Sequence, residues 1–80
     1  MKEKFDYSLL VDKIMASDKY KSKDFIDRSA TMCNNAKVKI CSLRWAMQDK
    51  YHFTQQEIFR IKNELELTDQ EVCEAFFKLK

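Results

Sequence analysis

Eighty residues without a single glycine or proline leave a backbone few ways to turn sharply. Glycine takes left-handed turns without steric cost and proline presets rigid corners, so hairpins and tight loops are disfavoured in this chain. Helices joined by short polar links are what remains, and the sequence predicts an all-α fold. Hydrophobic residues make up 45% of the chain and charged residues 35%, enough for both a core and a solvated helical surface, which excludes intrinsic disorder. Residues 1–80 are expected to form one compact domain, because a chain this short cannot divide its apolar material between two cores.

Cys33, Cys41 and Cys73 are odd in number and widely spaced, and no signal-peptide pattern opens the sequence. Free thiols in a reducing cytoplasm are expected, rather than a secreted disulfide framework. Charges interrupt every hydrophobic stretch, so no membrane span is expected.

The apolar spacing predicts five helices. Asp6 is positioned to cap the first, with Phe5 and Leu10 as the flanking apolar pair and Tyr7, Leu10, Val11 and Ile14 on one face, fading near Asp18. Ser22 is the expected cap of the second, which places Phe25, Ile26, Ser29 and Met32 or Cys33 inward. A third helix is expected from about Asn34 to Lys50, with Ala36, Ile40, Leu43 and Met47 in one buried stripe. On that helix Lys37, Arg44 and Gln48 share an adjacent face with Cys41, and Val38, Trp45 and Asp49 lie opposite the stripe. The last two helices carry the clearest local signatures: F-T-Q-Q-E-I from Phe53 and L-T-D-Q-E-V from Leu67 each pair a threonine cap with a glutamate three residues on. Ile58, Ile61, Val72 and Phe76 complete the expected core, and Lys78 and Lys80 complement the last helix dipole.

No motif of catalytic or metal chemistry is present. His52 is the lone histidine and has no nucleophile or acid in a recognised motif beside it, and the cysteines lack metal-ligand spacing. A chain without glycine also has no phosphate-cradling loop. The expectation is a binding protein that is not an enzyme and uses no cofactor, metal or small molecule. Charge distribution is more informative than the net +2: residues 34–52 hold four Lys or Arg against one acid, whereas residues 53–80 hold four against six. Such a surplus turns the third helix toward an anionic partner. Lys37, Lys39, Arg44 and Lys50, with Asn34, Asn35 and Gln48, are therefore candidate nucleic-acid contacts. Trp45 either closes the core from the side or, with Val38, offers an exposed anchor to a protein partner.

Two blocks resemble the short helix-turn-helix regulators of the Cro and CI-repressor type from phages and prophages of Gram-positive bacteria. The first is F-D-Y-S-L-L-V-D-K-I, residues 5–14. The second runs S-L-R-W-A-M-Q-D-K-Y-H-F-T-Q-Q-E-I from Ser42 to Ile58 and continues through L-T-D-Q-E-V-C-E-A-F-F to Phe77. Together they cover a little over half the chain. The middle, residues 28–41, departs from the family pattern. Counted forward from Tyr7, T-M-C-N-N at residues 31–35 takes the place of the turn, with Cys33 in the usual serine cap position. Counted back from Phe53, the recognition helix starts near Ile40. The second count conflicts with the first unless this region is rebuilt.

The resemblance implies a lambda-repressor-like scaffold and a cytoplasmic regulator that binds double-stranded DNA as a homodimer, with the third helix in the major groove. Lys37, Arg44 and Gln48 would then face bases or phosphates, Lys39 and Lys50 the backbone, and Asn34 or Asn35 a phosphate at the helix N-terminus. A second function fits the altered middle: a phage or mobile-element inhibitor, of the anti-CRISPR kind for example, that uses the same scaffold to bind a host protein.

Overall fold

The computed structural model describes residues 4–79. Five helices follow in order, α1 Ser8–Ala16, α2 Phe25–Ala36, α3 Ile40–Met47, α4 Gln55–Leu65 and α5 Asp69–Phe76. Among the described residues the one extended pairing is an isolated bridge between Phe5 and Leu79, reinforced by Asp6 N–H donating to the Lys78 carbonyl at 2.6 Å. Lys80 lies outside the described residues. The chain is thus an all-α domain, with α2 packed against α1, α3 and α4, and α5 against α1 and α4.

In α1 the Asp6 carboxylate accepts from the Ser8 N–H at 2.9 Å, one turn position short of the expected cap, so Tyr7 takes the cap position itself. Leu10 and Ile14, one turn apart, are fully buried. Helix α1 stops at Ala16, and its end is held by Arg28 of α2, whose guanidinium donates to the carbonyls of Ile14 (3.0 Å), Ser17 (2.8 Å) and Ser22 (2.6 Å). One side chain so satisfies carbonyls that a helix end leaves open. The cap of α2 is Asp24, which accepts from Asp27 N–H at 3.3 Å, and not Ser22; the Ser22 hydroxyl instead accepts from Asp24 N–H at 3.1 Å.

The expected third helix from Asn34 to Lys50 is corrected to a shorter one. Helix α2 continues through residues 31–35, where one count placed a turn, and the break comes at Lys37, which adopts the left-handed conformation with φ 60°. Lys37 N–H donates to the Asn34 carbonyl (3.3 Å) and Val38 N–H to the Cys33 carbonyl (2.9 Å), the paired closure of a Schellman motif. Asp49 and Glu66 are left-handed as well, and Lys50 and Leu67 close α3 and α4 with the same six-residue hydrogen bond to Trp45 and Lys62. A chain with no glycine therefore still ends three helices in the glycine conformation, against the steric cost of a Cβ there.

The core gathers Leu10, Ile14, Met32, Cys33, Leu43, Ala46, Ile58, Ile61, Ala75 and Phe76, with Phe25, Ile40, Met47 and Val72 half-buried against it. Phe53 stands edge-on to Phe76 and to Tyr7, at 5.4 and 5.9 Å between ring centroids, and joins the link after α3 to α1 and α5. Three side chains differ from expectation. Cys33 is buried inside α2 rather than capping a helix, and burial followed by the nearby Glu57 charge pushes its thiol up to about 11. Val38, expected on an outer face, is buried beside the turn, as the residue after a left-handed closure often is. Ile26, expected inward, is 62% exposed.

Candidate nucleic-acid interface

Helix α2, the three residues Lys37–Lys39 and helix α3 form a helix-turn-helix unit, with α3 starting at Ile40 as the count back from Phe53 requires. At 100° per residue, Ser42, Leu43, Ala46 and Met47 fall on one side of α3 and Cys41, Arg44, Trp45 and Gln48 on the other. Burial follows that division: Ser42, Leu43 and Ala46 are buried, Met47 is half-buried, and the other four are exposed. The inward side is fixed to the start of α4. Tyr51 donates its hydroxyl to Glu57 Oε1 at 2.7 Å, and the Ser42 hydroxyl hydrogen-bonds to the same carboxylate. The outward side is thus presented rigidly and is free to meet a partner.

Arg44 and Gln48 stand one turn apart on that outward face. Lys37 and Lys39 precede it, Lys50 follows it, and all three lysines are exposed. Among the described residues, none of Lys37, Lys39, Arg44 and Lys50 forms an ion pair, whereas Lys13, Lys19 and Lys62 on other elements pair with Glu71, Glu64 and Glu66, and Asp69. The cations around α3 are thus without an ion pair among the described residues, as Lys21, Lys23 and Lys78 elsewhere also are, and what distinguishes them is that four gather along α3 and its flanks, a distribution that suits an anionic partner. The Lys37 peptide is held from behind, its carbonyl accepting from Arg60 Nη1 at 3.2 Å.

Asn34 and Asn35 do not join this group. They occupy the last turn of α2, not the first turn of α3, and Asn35 donates to Glu64 Oε2 at 3.1 Å, tying α2 to α4. A helix C-terminus carries partial negative charge and repels phosphate, so the expected anion contact there is withdrawn. Val38 is buried and offers nothing to a protein partner. Trp45 is 52% exposed, on the outward face of α3, so it does not close the core.

His52 is exposed and lies against the Phe5 ring at 4.8 Å between centroids. Among the described residues no group of three His, Cys, Asp or Glu is arranged to hold a metal ion, and no helix is long and apolar enough to cross a membrane. Sequence reasoning missed a hollow between α2 and α3, lined by Phe25, Ile26, Ile40 and Met47 among others. The helical spacing of Ile26 resembled that of a core residue, and nothing local marks it as exposed. Compared with protein-family models, curated proteins and solved structures, the chain shows no match.

Proposed function

We propose that this protein is a sequence-specific DNA-binding regulator that inserts α3 into the major groove and acts as a homodimer on a two-fold operator. The observation that carries the reading is the outward face of α3: Arg44 and Gln48 at one-turn spacing, bracketed by three exposed, unpaired lysines, on the second helix of a helix-turn-helix unit. Arginine pairs in bidentate fashion with guanine and glutamine with adenine in the major groove, while Lys37, Lys39 and Lys50 neutralise phosphates on either side. Repression follows from occupying a promoter. The dimer face we assign to α4 and α5, where Phe59 and Phe77 stand exposed along an apolar groove on elements other than α3.

The test is a gel-shift titration on the DNA upstream of the coding sequence at low and moderate salt. The parent protein is expected to prefer that DNA over random sequence and to weaken steeply with salt, by about 0.9 in log–log slope for each phosphate neutralised. Lys39→Ala in both subunits should flatten the slope by about 1.8. Arg44→Ala should relax discrimination by about 1–3 kcal/mol.

A second reading is favoured by one observation, the 52% exposure of Trp45, a large aromatic on the outward face of α3. Under it the protein inhibits a host protein, with Trp45 as the central anchor. Trp45→Ala would then weaken a stoichiometric protein complex by about 2 kcal/mol or more, and the folded parent would show no preference among DNA sequences.

A further inference from the structure

Three helix ends in this glycine-free chain are each held by a cation that another element supplies. Arg28 of α2 donates to carbonyls at the end of α1. Lys19, in the link after α1, donates to the Glu64 carbonyl in the last turn of α4 and pairs with the left-handed Glu66 at 3.9 Å. At the end of α2, Arg60 Nη1 donates to the carbonyl of the left-handed Lys37 at 3.2 Å. This third contact bears on the candidate interface, because Lys37 opens the turn that carries the chain into α3. A left-handed residue with a Cβ is strained, by an amount that a hydrogen bond from a charged donor can offset. Helix α3 has no side-chain cap of its own, so its start is left to the turn and to packing. Arg60 is half-buried and in no ion pair among the described residues, and it belongs to α4, whose first turn already holds α3 from behind through Glu57.

We propose that Arg60 is a positioning residue for the candidate interface: its bond to the Lys37 carbonyl does the work of a turn glycine and so sets how α3, Lys37 and Lys39 are presented to a partner. Loss of the bond lets Lys37 relax toward right-handed backbone, and the three-residue turn and the start of α3 move with it. A direct phosphate contact by Arg60, or packing alone, differs in one respect, since neither depends on the residue at position 37. The bearing on DNA rests on the reading above; the bearing on the turn does not.

The experiment is a double-substitution cycle, with Arg60→Met made in the parent and in Lys37→Gly. It is read by amide hydrogen exchange of the full chain without DNA, and by titration with the upstream DNA. Glycine adopts the left-handed conformation without strain, so it removes the need for support. Arg60→Met is expected to lower protection of the Val38 amide, which closes the turn on the Cys33 carbonyl, by about threefold to tenfold in the parent. Added to Lys37→Gly, it should lower that protection by less than about twofold. The Met32 amide, in the buried middle of α2, should change far less in either case. DNA affinity should follow the same pattern, since only molecules with the turn in place present α3 correctly. Melting curves verify that the variants fold. Equal effects of Arg60→Met in the two backgrounds would overturn the proposal, as would an unchanged Val38 amide or a uniform drop at Val38 and Met32. A parent without preference among DNA sequences would remove the DNA reading instead, and the exchange cycle would still decide the role of Arg60.

Discussion

The closing pair α4–α5 and the central pair α2–α3 each join two helices through a left-handed closure, at Glu66 and at Lys37, yet the second helix of each pair starts in a different way. Thr54 and Thr68 each accept from a backbone N–H three residues on at 3.2 Å, and Glu57 and Glu71 each return the bond at 2.9 Å. Those boundaries are written in side chains within one turn. Helix α3 has no side-chain cap, since Lys39 stands in the cap position, and α2 ends on a left-handed lysine. Its boundaries follow from burial of Val38 and Leu43 on either side of the turn. The starts of α4 and α5 are locally encoded, whereas the start of α3 depends on tertiary packing, and of its turn Val38 is buried while Lys37 and Lys39 are exposed.

The largest effect that probes this contrast is in α3 itself. Leu43→Ala, at a site 2% exposed, should destabilise the domain by about 2–5 kcal/mol, whereas Trp45→Ala, two residues on, should cost under about 0.5 kcal/mol in stability. Urea unfolding of both variants checks it, and comparable losses would mean that the outward face of α3 is structural.

Smaller effects separate the two kinds of helix end. Thr54→Ala or Thr68→Ala should each cost about 1 kcal/mol. Lys37→Gly should instead raise stability by about 0.5–1 kcal/mol, because glycine relieves the left-handed backbone at φ 60°. A destabilised Lys37→Gly protein would contradict the geometry of the turn.

The smallest effect is a pH dependence confined to the scaffold. Burial pushes the Glu57 carboxyl up, but hydrogen bonds from Thr54, Tyr51 and Ser42 outweigh it and hold the group below the ordinary glutamate range. Glu71 is lowered by Lys13 and by Thr68. A carboxylate with a depressed folded value gives its full stabilisation above the unfolded value and loses it as pH falls through the folded one. Stability should therefore decline from about pH 5 downward. Chemical denaturation at pH 7 and pH 3 should show Glu57→Gln less acid-sensitive than the parent.

Much of the fold was legible because its signals are local. The Thr-x-x-Glu pairs set α4 and α5, and the absence of glycine and proline set the class. The boundary between α2 and α3 was not, because a left-handed closure is announced in sequence by glycine or asparagine, and Lys37 announces nothing. That single residue moved Asn34 and Asn35 to the wrong helix end and sent Val38 to the wrong face. Lys37, Lys39, Arg44 and Lys50 were singled out by charge and Gln48 by its helical spacing from Arg44, and all five are exposed. The hollow between α2 and α3 was invisible, since a hollow belongs to the approach of two helices and to no segment of sequence.

The central claim is that the outward face of α3 meets DNA. The most direct measurement is an amide NMR titration of the labelled protein with duplex DNA from the upstream region. Shifts and broadening concentrated between Lys37 and Lys50, reversed by added salt, are the expected result, with α4 and α5 affected only through the dimer. Undisturbed α3 resonances in the folded protein at saturating DNA would contradict the claim and leave a protein partner at Trp45 as the function to pursue.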